Sequence, residues 1–106
     1  MKTPLKVKPE KMKKEKVESL EQARAQIDVI DQGIIELIAA RQFYVDQAVR
    51  FKRSVQDVQS PERVEAVISK MRLQAIEHGV NADIVERLYR DMIQHFIQRE
   101  LKEIRP

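Results

Sequence analysis

From Ser19 onward the chain alternates apolar and polar residues with a helical period. Ile27, Ile30, Ile34, Leu37, Arg41, Tyr44 and Ala48 follow alternating steps of three and four, a seam of heptad type. Ser19 followed by Gln22 fits the S-x-x-Q capping box and predicts a helix start. No Pro interrupts the stretch to Phe51–Arg53, and Gly33 is its only weak helix former. The pattern predicts one helix of about 34 residues, about 50 Å long. That exceeds the width of a compact domain of this size. The seam therefore cannot be buried within its own chain, and a dimer with the long helices packed together is the expected solution.

Ser54–Gln59 reads as a short polar connection. Ser60 is expected to cap a second helix, with Pro61 at its first position and Glu62 in its positive first turn. Val64, Val67, Ile68, Met71, Ala75 and Ile76 make its apolar face, and Gly79 closes it after the helix-end residue His78. A third helix starts near Asn81 or Asp83 and runs to about Ile104. Its face is Ile84, Val85, Leu88, Met92, Ile93, Phe96, Ile97, Leu101 and Ile104. Tyr44, Tyr89, Phe43, Phe51 and Phe96 read as core aromatics. The expected fold class is all-α, three helices in the order long, short, medium.

Composition narrows the chemistry. A chain of 106 residues supports one domain. It has no Cys, so disulfides and Cys-based metal sites are excluded, and its 2 His are too far apart in sequence to read as a zinc pair. With 2 Gly and 4 Pro there is little punctuation for a multi-stranded sheet. Residues 1–18 hold seven Lys against three Glu, a net of +4, so the remainder carries about −1 of the total +3. The basicity belongs to this tail, which is expected to be disordered. Residues 19–106 have no basic excess to follow a nucleic-acid backbone. No apolar run reaches the roughly 18 residues of a membrane span. The Lys-rich start lacks the apolar stretch of a secretory signal, so a cytoplasmic setting is expected.

The informative residues interrupt the apolar faces. Arg41 occupies a seam position, where a cation must be paired or face a ligand. Lys52 follows eleven residues later, on the same face and about 16 Å along a helix axis. Val45 and Ala48 lie between them, and the small Ala48 leaves room for a pocket floor. Arg24 stands about 25 Å before Arg41 and about 100° around the helix. It could join Arg41 only from the partner of an antiparallel dimer. Glu100 interrupts the third helix among Phe96, Ile97, Leu101 and Ile104. Taken singly, Arg41 could snorkel to water, Lys52 could serve a helix dipole, and Glu100 could pair with a cation on its own or another helix. Arg63 beside Glu62 reads as a surface residue. Together within one apolar framework they point to a binding site for a small dianion. There is no glycine-rich phosphate loop and no nucleophile elbow.

These residues fall in segments that resemble the all-helical chorismate mutases: ARAQIDVIDQGIIELIAARQFYV, AVRFK, SPERV and IQHFIQRE. The resemblance runs from about Ser19 to Arg105 and is greatest to the subfamily that includes isochorismate pyruvate lyase. It implies an intertwined helical homodimer with two equivalent sites, each drawing on both chains. Arg24 of one chain and Arg41 of the other would bind the two carboxylates of chorismate or isochorismate. Lys52 would contact a carboxylate and the ether oxygen, and Arg63 would hold the carboxylate from the loop side. Glu100 falls where family members carry Gln or Glu, facing the same oxygen. Ala48, Val64 and Ile97 would complete the pocket. No metal or cofactor is implied, because the rearrangement is pericyclic and needs no nucleophile. Efficient mutases of the family often carry a carboxylate where Val64 stands, and Ser60 replaces another acidic residue. Those two losses resemble the lyases, whereas Arg53 and Glu100 do not. The expected activity is chorismate mutase, with isochorismate pyruvate lyase as the alternative. A non-enzymatic dimeric helical module stands behind both.

Overall fold

The computed structural model describes residues 13–103, and within them the chain is helical without a strand. The elements are α1 (Leu20–Val49), α2 (Val55–Gln59), α3 (Pro61–Glu77) and α4 (Ala82–Glu103). The expected long, short and medium helices are α1, α3 and α4. Ile104 and residues 1–12 of the basic tail lie outside the described residues, and 13–18 carry no regular structure.

The chain divides into two units, residues up to Arg41 and residues from Gln42 onward. In the first, α1 begins as the capping pattern predicts. Ser19 Oγ accepts from the Gln22 amide at 3.1 Å, and Gln22 Oε1 accepts in return from the Glu18 amide at 2.7 Å. Along its whole length α1 has no buried residue. Ile27, Ile30, Ile34 and Ile35 are all exposed, so the heptad seam is uncovered by this chain alone.

The second unit holds the core. Its buried apolar residues are Val58, Ile68, Ala75 and Phe96. α3 and α4 pack together, and α2 packs on α4. Four details depart from the sequence expectation. Ser54–Gln59 is not merely a polar connection: Val55–Gln59 forms α2, and Val58, at 2% exposure, is the most buried residue described. One turn is too short for a hydrophobic period to register, so its single apolar anchor is invisible to pattern reading. Ser60 stands before α3 but makes no side-chain cap, because its left-handed backbone (φ 36°) ends α2 instead. Ile76, Ile84 and Leu88, expected in the core, are exposed. Of the aromatics read as core, Phe96 is buried and Tyr89 half-buried, whereas Phe43, Tyr44 and Phe51 are exposed.

The turn between α3 and α4 is closed at both ends. Gly79 adopts φ 73°, its amide bonds the Ile76 carbonyl, and the Val80 amide reaches back to Ala75 at 2.8 Å. That is the Schellman pattern, which needs a residue free of the left-handed penalty. His78 caps the same end, its Nδ1 lying 2.9 Å from the Gln74 carbonyl. Asn81 Oδ1 then accepts from the Ile84 amide to start α4.

Polar residues zip α3 to α4 across the outer face. Arg72 bonds Asp83 and Glu86, and Arg90 bonds Glu86 and both oxygens of Glu65. The Arg90 guanidinium holds the Glu65 carboxyl below its usual range, and Arg90 and then Arg72 do the same for Glu86. Carboxyls depressed in the folded state contribute stability that is present above their unfolded range and lost as pH falls through the folded values. Thermal denaturation of Glu86→Gln followed against pH should therefore lose much of the acid-side slope of the parent. An unchanged slope would remove this network from the stability of the helix pair.

Candidate active site

The last residues of α1 and the loop behind it meet α4 through two ion pairs, the shorter of them at Glu100. α4 buries two residues, Phe96 and Glu100, which stand four apart on the same face. A carboxyl on that face must find a cation or a proton, since burying an unpaired charge is costly. Lys52 supplies the cation, its Nζ 3.1 Å from Glu100 Oε1. The Lys52 side chain is a quarter exposed and that of Glu100 only 6%, so the pair lies at the rim of the core with the lysine toward solvent. The sequence pattern predicts Lys52 on the long helix, on the face of Arg41, but α1 ends at Val49. Lys52 sits just beyond the closing turn, where its amide bonds the Val49 carbonyl at 3.1 Å. Of the roles open to Glu100, the structure selects pairing with another element over its neighbours Arg99 and Lys102.

The other candidates are distributed as follows. Arg24 (exposed) and Arg41 (half-buried) belong to the first unit. In the second, Ala48 is exposed on the last turn of α1, and Ile97 is half-buried on α4, three residues before Glu100. Arg63 is exposed in the first turn of α3, and Val64 beside it is half-buried. Lys52 and Glu100 are thus the two candidates that the second unit brings into direct contact.

Glu100 also borders a cleft of about 250 Å³, shared with Asp46, Val49, Arg99 and Glu103. Arg99 lies over the Phe96 ring, 5.3 Å from its centroid, and its Nη2 is 3.6 Å from Asp46 Oδ1. Its Nη1 is buried without a hydrogen-bond partner. Three carboxylates against one guanidinium make this cleft hostile to a dianion. Neither Asp46 nor Arg99 interrupts an apolar stripe, so nothing in the sequence marked them.

The chain is similar in sequence to known proteins. A family model, chorismate mutase type II, matches residues 23–101. Isochorismate pyruvate lyase of Pseudomonas aeruginosa is 37% identical over 79 residues, covering 74% of this chain and 78% of that protein. Chorismate mutase of Methanocaldococcus jannaschii is 29% identical over 80 residues, covering 74% of this chain and 81% of its own. The T-protein of Haemophilus influenzae is 31% identical over 83 residues, which span 77% of this chain but 21% of that longer protein.

The ion pair makes an energetic prediction. Lys52→Met leaves a buried carboxylate without its cation, whereas Glu100→Gln removes the charge that needed one. A double-mutant cycle in urea should return a coupling of about 1–3 kcal/mol. Additive effects would mean that the two groups do not interact in solution.

Proposed function

The chain belongs to the type II chorismate mutase family, and from that premise we propose that it rearranges chorismate to prephenate in a cation-lined site completed by a second copy of the chain. The observation that carries the reading is Lys52 against the buried Glu100 carboxyl. A pericyclic shift asks for no nucleophile, metal or obligatory proton transfer. It asks that the reactive conformer be held and that charge building on the breaking ether oxygen be stabilised. Lys52 suits that oxygen and an adjacent carboxylate. Arg41, with Arg24 from the partner chain, would fix the two carboxylates, and Arg63 would close the loop side. Ala48, Val64 and Ile97 would form the apolar walls. Support for the second copy comes from the exposed isoleucines of α1, a seam with no cover in one chain. A cytoplasmic setting belongs to the same reading, and no described helix is long and apolar enough to cross a membrane.

Glu100 sets the conditions of the chemistry. As a carboxylate it can only accept hydrogen bonds; as an acid it can donate one to the ether oxygen. An ionised Glu100 also competes with a dianion for Lys52.

Isochorismate pyruvate lyase, giving salicylate and pyruvate, is the second reading. It is favoured by the 37% identity to the Pseudomonas lyase and by Val64 and Ser60, which supply no carboxylate for a substrate hydroxyl.

Purified protein offered chorismate and isochorismate in parallel should form prephenate, and salicylate in place of prephenate would transfer the assignment to the lyase. Arg41→Ala or Lys52→Ala should lower kcat about a hundredfold or more. If the parent turns over neither substrate and both variants only weaken the dimer, the enzyme reading fails. Glu100→Gln, whose amide can donate a hydrogen bond where a carboxylate only accepts, should change kcat. An unchanged kcat in that variant would take Glu100 out of the mechanism.

A further inference from the structure

Two of the cations assigned to substrate stand on either side of α2. Lys52 precedes it and Arg63 lies in the first turn of α3, so residues 53–60 set the distance between them. A helix of this length has no stability of its own, yet this one is restrained at its beginning, middle and end. Ser54, in extended conformation, accepts from the Asp57 amide through Oγ at 3.1 Å. Asp57 Oδ2 accepts in return from the Arg53 amide at 2.9 Å. Val58 is sunk to 2% exposure, anchoring the turn to α4, the helix that carries Glu100. Ser60 then takes the left-handed conformation, its amide bonding the Gln56 carbonyl at 2.9 Å, and Pro61 begins α3 at once.

The bond from the Arg53 amide to Asp57 has a particular consequence. The Arg53 N–H and the Lys52 carbonyl belong to one rigid peptide plane. Holding that N–H fixes the plane and so restricts the backbone from which the Lys52 side chain departs. Asp57 stays exposed, so its contribution is orientation rather than burial.

We propose that Asp57 and Val58 are positioning residues: through α2 they hold Lys52 and Arg63 at the spacing that grips the substrate carboxylate. The inference rests on the chorismate mutase reading above. With the box broken, α2 samples other conformations, and only a fraction of molecules present both cations correctly. Apparent affinity then falls by that fraction, while substrate, once bound, holds the site together. The signature is a raised KM with kcat retained. Loss of Lys52 itself should instead lower kcat.

Steady-state chorismate turnover by the full chain tests this in five variants. Asp57→Ala and Ser54→Ala should each raise KM about fivefold or more with kcat changed less than about twofold. Asp57→Asn keeps an acceptor oxygen for the Arg53 amide and should return KM to near the parent value. Val58→Ala should also raise KM. Asn81→Ala removes a comparable cap from α4, far along the chain from Lys52, and should lower the melting temperature without moving KM. An unaltered KM in Asp57→Ala and Ser54→Ala, or an equal rise in Asn81→Ala, would overturn the proposal while leaving the enzymatic reading intact. A parent that turned over neither chorismate nor isochorismate would overturn both.

Discussion

A carboxyl group cannot be carried into a helical core without an answer to its charge, and the second unit is arranged around that constraint. Glu100 shares the inward face of α4 with Phe96, where an aliphatic residue would ordinarily stand. Lys52, reaching across from the end of α1, is the answer the fold provides. The contact joins residues 48 positions apart, so it depends on the turn after α1, on α2 and on the α3–α4 pairing all being in place. As an element of stability it is a poor choice, since a well-packed apolar pair would serve at least as well.

Much of the fold was legible in the residues. The Ser19 box, Pro61, Gly79 and Asn81 each act locally, within a turn of their own position, and each stands where its chemistry predicts. The three main helices follow from them. The illegible parts are those where a residue's own type does not decide its role. Val58 is one apolar residue in a polar stretch, and its burial is decided by α4. The Ser60 hydroxyl looks like a cap, but its backbone is committed to ending α2.

The candidate site divides in the same way. Lys52 and Glu100 stand out in the sequence as charges at apolar positions, and the structure joins them. Periodicity could not foresee their pairing, because it ranks faces of a helix and says nothing about which face of another helix they meet; only the family resemblance set both at one oxygen. Asp46 and Arg99 sit on faces that were polar already. The exposed isoleucines of α1 show the complementary limit. Pattern analysis identified a seam that asks for cover, and the single chain leaves that request standing.

Ser60 carries a consequence of another kind. It is at once the last residue of one helix and the entry to the next, with Pro61 immediately behind it. Between α2 and α3 there is thus no linker to lengthen or shorten. A surface loop ordinarily absorbs insertions at little cost. Here an added residue could be taken up only at Ser60 itself, and it would shift α3, with Arg63 in its first turn, relative to α2. The segment should therefore tolerate changes of side chain far better than changes of length, and its residue count becomes a heritable property in its own right.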